Sequence, residues 1–255
     1  MDVCTAFYHR VNDDMFETFL KTFRKVNQTA LLQVYMDDVP EELQKEWHNN
    51  YNVEWAQLKP EQVKGQRCYR KMKCVRDCLA ERRDGDRVLV SDVDVYFLDD
   101  PFKAFDKYDF ELGLTARLHS YKYPINAGLV FINVCPHTRI VFNEYFSQFA
   151  ERKKKYWDWF VDQMFLCDLW ESRETVPLKV ADVGWEYNFC PNTDVFGVRL
   201  AADMIKRAYE SKSVKVLHLK SELKMMLYDG FWEDAVTKNV SSANPSSWNW
   251  KEEGK

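Results

Sequence analysis

Short apolar runs of strand length alternate with segments of helical periodicity along most of this chain. That alternation constrains the fold more than any other feature, because it calls for a mostly parallel sheet covered on both faces by helices. Strands are expected at residues 3–8, 31–35, 53–55, 87–91, 110–115, 128–134, 177–181 and 214–219. Helices are expected between them. Asn12 offers a cap ahead of Met15, Phe16, Phe19, Leu20 and Phe23, which recur at helical spacing. Further helices are expected over 41–50, from Pro60 to about residue 83, from Pro136 to the basic run at 152–155, and over 157–170. Asp99-Asp100-Pro101 reads as a turn and cap before Phe102. Sheets of this kind bind ligands at the carboxyl ends of their strands, where strand order reverses.

The 255 residues suit one α/β domain, expected over 1–236, with a Ser-, Asn- and charge-rich tail over 237–255. The net charge of −4 does not supply the basic field that nucleic-acid phosphates require, so no nucleic-acid partner is expected. Seven cysteines, an odd number in mostly apolar or helical surroundings, fit a reducing compartment better than a disulfide framework. Cys74 and Cys78, one helical turn apart, read as packing residues. No apolar run approaches the roughly 20 residues a membrane span needs. The first residues, Met1 to Thr5, do not have the pattern of a signal peptide, so a cytoplasmic protein is expected.

The stretch from Val88 to Leu98 is the most informative. A buried-type strand runs directly into Asp92 and Asp94. In extended chain, residues two apart point to the same side, so the two carboxylates can converge on one hard cation. Mg²⁺ and Mn²⁺ take oxygen ligands and keep open positions for substrate phosphates. Asp-x-Asp alone is a common pattern, and a solvated surface turn is the plain alternative. The apolar Val93, Val95 and Phe97 that follow argue against it.

Further segments follow in order. They are Ile125-Asn126-Ala127-Gly128 with the strand ending at Asn133, then Asp162-Gln163, then His218 with Lys224 six residues later. With Val88–Asp94, this ordered set resembles the nucleotide-diphospho-sugar transferases of the GT-A fold. It is most similar to the retaining group that includes glycogenin and bacterial lipooligosaccharide galactosyltransferases. The resemblance spans about residues 69–224. It implies a single Rossmann-like α/β domain with a mixed, mostly parallel sheet flanked by helices. It also implies transfer of a hexose, with retention, from UDP-glucose or UDP-galactose to an acceptor hydroxyl.

Residue by residue, the resemblance implies that Asp92, Asp94 and His218 hold Mn²⁺ or Mg²⁺, with Asp92 also touching the donor. Lys224 would pair with the diphosphate. Arg70 would reach the sugar or phosphate from its helix. Asn126 and Ala127 would line the donor-sugar pocket, with Gly128 permitting close backbone approach. Asp162 would accept bonds from sugar hydroxyls, with Asp158 as an alternative, and Gln163 would sit beneath the anomeric carbon. The pattern departs from the family at Ser221, where Gly is usual, and at Met225-Met226, where Pro-Trp follows the Lys. His9 and His119 read as structural or solvent-facing, and Asp37 and Asp38 as a solvated strand end. Trp248 and Trp250 could stack on an acceptor sugar or pack the tail. A nucleotidyltransferase also uses paired carboxylates, but Tyr8-His9-Arg10-Val11-Asn12 has no glycine to grip a triphosphate. A non-catalytic sugar-binding relative is the third reading.

Overall fold

The computed structural model describes residues 1–9, 12–37, 39–58, 67–117, 123–152, 161–220, 223–224 and 226. Seven strands form the main sheet in the order β3-β2-β1-β4-β7-β6-β8. These are β1 (Asp2–His9), β2 (Leu31–Asp37), β3 (Val53–Gln57), β4 (Arg87–Ser91), β6 (Leu112–Ala116), β7 (Ile125–Asn133) and β8 (Val180–Asp182). All run parallel except β7, which is antiparallel to β4 and β6. The expected mixed, mostly parallel sheet is therefore present. A separate ribbon pairs β5 (Val95–Phe97) antiparallel with β9 (Val216–His218).

Strand alternation fills two cores at once. Val3, Val88, Val90, Val130 and Ile132 face one layer, which holds α3 (Arg67–Glu81) and α7 (Val161–Glu171). Cys4, Ala6, Leu89, Leu129 and Phe131 face the other, which holds α1 (Asp13–Val26) and α2 (Glu41–Tyr51). Both faces are covered, which is why these strands read as near-continuous apolar runs. The Asn12 side chain caps α1, accepting from Met15 N at 2.9 Å, an interaction of about 1 kcal/mol. Acidic Asp13 and Asp14 open the helix and basic Arg24 and Lys25 close it, as the helix dipole favours. Phe16 stacks on Tyr8 with ring centroids 4.1 Å apart, and Trp47 packs edge-on against both.

The Asp100 carboxylate accepts from Phe102 N at 3.0 Å ahead of a short helix, α4 (Lys103–Lys107), so the expected turn forms. From Pro136 the chain runs through α5 (Pro136–Ile140), a π turn (Val141–Tyr145) and α6 (Phe146–Arg152). Two expectations shift. The strand expected at 177–181 is β8 at Val180–Asp182, because Leu178 N bonds Val176 O in a turn and pairing begins later. A long helix, α8 (Thr193–Ser211), was not among the expected elements. Gly197 stands inside it at φ +72° and kinks it, which breaks the periodicity that would reveal one continuous helix. α8 packs with Leu217, Leu219 and Leu223 into a third core.

All seven cysteines are free thiols. Among the described residues, no helix is long and apolar enough to cross a membrane. The expected helix start at Pro60, Asp38, His119, most of the 152–155 basic run, the 157–160 segment with Asp158, Ser221, Met225 and the 237–255 tail with Trp248 and Trp250 lie outside the described residues.

Candidate active site

The β4 ladder with β7 ends at Ser91 opposite Leu129, and one more bond, Asp92 N to Gly128 O at 2.7 Å, turns the chain out of the sheet. Val95 and Phe97 are buried in the β5–β9 ribbon, where Val95 lies opposite His218. These apolar anchors aim the two carboxylates at the imidazole. His218 Nε2 lies 3.1 Å from Asp94 Oδ1 and 3.6 Å from Asp92 Oδ2. One ligand atom from each of the three residues falls within 4.8 Å of the others. The cluster lies at the carboxyl end of β4, beside the switch point where β1 has β2 on one side and β4 on the other.

A chain of hydrogen bonds fixes the imidazole tautomer. Asn188 Nδ2 donates to Thr115 Oγ1 at 2.8 Å and to Asn126 O at 3.2 Å. A backbone carbonyl can only accept, so the Asn188 amide is oriented with its oxygen toward His218. His218 Nδ1 must then donate to Asn188 Oδ1, at 2.9 Å. Burial, with Lys220 nearby, holds the imidazole pKa below its ordinary value against the pull of Asp94 and Asp92. The ring is therefore neutral at neutral pH and Nε2 carries a lone pair. That atom is buried and has no hydrogen-bond partner among the described residues, its short approach to Asp94 lacking hydrogen-bond geometry. A lone pair set against two carboxylates is repulsive unless a cation stands between them. The donor set of two carboxylates and one imidazole, with the second ring nitrogen held by an amide, fits a divalent metal.

Gly128 makes this possible, because a Cβ there would stand 1.9 Å from His218 Cε1. The close approach expected at Gly128 is thus made by the His218 ring. Replacing Asn188 with Leu should weaken Mn²⁺ binding about 10- to 100-fold by freeing the tautomer and the ring. Titration of Mn²⁺ followed by its EPR signal measures this, and unchanged affinity would show that the amide does not orient the ring.

The Asp94 carboxyl is also bound by Lys224, whose Nζ lies 2.9 Å from Oδ2. Burial pushes the Asp94 pKa up, and the ammonium groups of Lys224 and Lys220 pull it down. Asp92 extends the cluster through Lys71. The buried Lys71 Nζ donates to Asp92 Oδ1 at 2.5 Å, to Ala127 O at 3.0 Å and to Asp162 Oδ2 at 3.3 Å. Burial pulls the ammonium pKa down, and Asp92 and Asp162 more than reverse it. Asp162 Oδ1 accepts from Gln163 N at 2.7 Å, and Gln163 Oε1 accepts from Arg117 at 3.2 Å.

The structure thus brings together Asp92, Asp94, His218, Lys224, Asn126, Ala127, Asp162 and Gln163 in one connected network. It brings in Lys71 rather than its neighbour Arg70, which pairs with Asp37 at 2.7 Å. Neighbours on a helix point about 100° apart, so only one of them can face the cluster. Lys71, Asn188, Thr115 and Arg117 were not expected from sequence. A second trio of Glu111, Cys135 and His137 lies at the far end of β6 and β7, where Glu111 Oε1 accepts from both partners.

A comparison with curated protein sequences gave no match. Solved structures share the fold at low identity. GlyE, a glycosyltransferase of Streptococcus pneumoniae TIGR4, is 15% identical with a TM-score of 0.64, over 94% of this chain and 65% of its own. This chain therefore spans just under two thirds of that protein. The galactosyltransferase LgtC, solved with donor and acceptor sugar analogs, is 18% identical with a TM-score of 0.61, over 97% of this chain and 99% of its own. Mouse xyloside xylosyltransferase 1 is 10% identical with a TM-score of 0.55, over 87% and 98%. The family model described as nucleotide-diphospho-sugar transferase matches residues 27–224, a span that contains the whole cluster described above. The chain belongs to the nucleotide-diphospho-sugar transferase family.

Proposed function

We propose that this chain is a divalent-metal-dependent hexosyltransferase that takes UDP-glucose or UDP-galactose as donor and transfers the sugar, with retention, to an acceptor hydroxyl. The observation that carries the reading is His218 Nε2, unpartnered among the described residues and facing Asp92 and Asp94. Asp92, Asp94 and His218 would hold the ion, and the imidazole favours Mn²⁺ over the all-oxygen preference of Mg²⁺. Bound there, the ion supplies charge neutralisation to the departing diphosphate.

The remaining steps belong to side chains. Lys224, 44% exposed and reaching in from the rim, swings from Asp94 to the diphosphate and stabilises the charge that develops there. Asn126 and Ala127 form the wall of the donor-sugar pocket. Asp162 is poorly suited to act as a general base, since both its oxygens already accept bonds, from Lys71 and from Gln163 N. The Gln163 amide is a weak nucleophile. Both points favour front-side attack, with the leaving phosphate taking the acceptor proton, and hence retention.

UDP release from UDP-glucose and UDP-galactose should require Mn²⁺ and stop when the ion is chelated. The anomeric configuration of the product, read by proton NMR, should match that of the donor. UDP release that persists in chelator, or nucleotidyl transfer from a nucleoside triphosphate, would reject the reading.

A further inference from the structure

Beside the Asp92–Asp94–His218 cluster lies a partly open cleft. Its walls are apolar and largely aromatic, from Trp185, Phe189, Pro191, Val195, Phe196 and Met204. Its polar groups are Asn126, Asn188, Asn192, Arg117 and the Cys190 thiol, and among the described residues no carboxylate lines it. Asn188 bonds the His218 ring and donates to the Asn126 backbone carbonyl, so the cleft opens directly onto the transfer site. Asn126 is 2% exposed, and among the described residues its Nδ2 has no well-formed hydrogen bond, only the weak acceptor Cys190 beside it. A buried amide donor so weakly paired at the edge of a cleft calls for an oxygen from a ligand.

A bare oligosaccharide would meet few polar partners on these walls. Its hydroxyls would be desolvated against Phe189, Phe196 and Met204 without compensation. Trp185 and Phe189, with ring centroids 5.5 Å apart at 60°, form a corner that suits a flat ring. Val195 and Phe196, just ahead of the Gly197 kink, add to the apolar lining. A rigid ring loses less freedom there than an alkyl chain.

Resting on the transferase reading above, we propose that the acceptor carries an aromatic group next to its reacting hydroxyl. The ring packs between Trp185, Phe189 and Phe196, while the hydroxyl-bearing part reaches Asn126.

Binding of methyl, octyl and phenyl glucosides and galactosides to the full chain, followed by ligand-observed NMR, tests this without needing turnover. Phenyl glycosides should bind about tenfold more tightly than their methyl and octyl counterparts. Val195 is 53% exposed on the cleft wall, and V195D should remove that preference. Leu200, 50% exposed on the same helix but outside the cleft, should tolerate L200D without effect. Equal binding of phenyl and methyl glycosides, tighter binding of the octyl set, no binding at all, or equal effects of V195D and L200D would overturn the proposal. Mn²⁺-dependent donor hydrolysis, measured in parallel, separates the two failures. Hydrolysis without phenyl preference rejects only the acceptor class, and phenyl preference without hydrolysis rejects the transferase reading.

Discussion

An Asp94→Asn protein should lose about a thousandfold in metal-dependent turnover, or roughly 4 kcal/mol of transition-state stabilisation. Asp94 carries two duties in one carboxylate. Oδ1 faces His218 Nε2 at 3.1 Å and Oδ2 binds Lys224 at 2.9 Å. Asparagine keeps the size and one oxygen but removes the charge that would draw a cation to the imidazole. The fold should survive, because Lys224 is 44% exposed and can turn to solvent. UDP release measured against Mn²⁺ concentration, with a thermal melt as control, distinguishes the outcomes. A well-folded D94N protein with more than about a tenth of the parent rate would place the ion elsewhere.

The second large effect is on stability. Lys71→Met should cost about 3–5 kcal/mol, because removing one member of a buried ion cluster leaves the other charges uncompensated. Lys71 is the ammonium that neutralises both Asp92 and Asp162, and its side chain is 9% exposed. Its folded pKa stands above its ordinary value, so its contribution is complete below about pH 10 and is lost only as the pH rises beyond that. The K71M deficit should therefore stay level between about pH 6 and 9 in denaturant titrations. Mn²⁺ affinity should also fall, by about tenfold, since Lys71 orients Asp92. A K71M protein as stable as the parent would mean that solvent or another cation already serves the two carboxylates.

Some of this site is legible in sequence and some is not, for physical reasons. Asp92 and Asp94 stand out because a strand must be apolar to be buried, and charge at its tip needs a purpose. Asn126, Ala127, Gly128 and His218 are legible by their order along the chain. The direction of β7 is not, because a strand buried on both faces reads the same whether parallel or antiparallel. Lys71 hides beside Arg70: both are basic, and only the packing of Met72 and Val75 into the core fixes which one turns inward. Asn188 lies in an irregular stretch, after the single turn at Trp185–Tyr187, where no periodicity guides the eye. The Gly197 kink conceals α8 in the same way, and with it the apolar wall of the adjoining cleft.

The decisive measurement is electron–nuclear double resonance on Mn²⁺ added to the protein with UDP, using ¹⁵N-labelled histidine. A single directly bound imidazole nitrogen should appear, and it should vanish in an H218L protein. Manganese held with no nitrogen ligand, or with a coupling that survives the loss of His218, would mean that the Asp92–Asp94–His218 cluster is not where the ion resides.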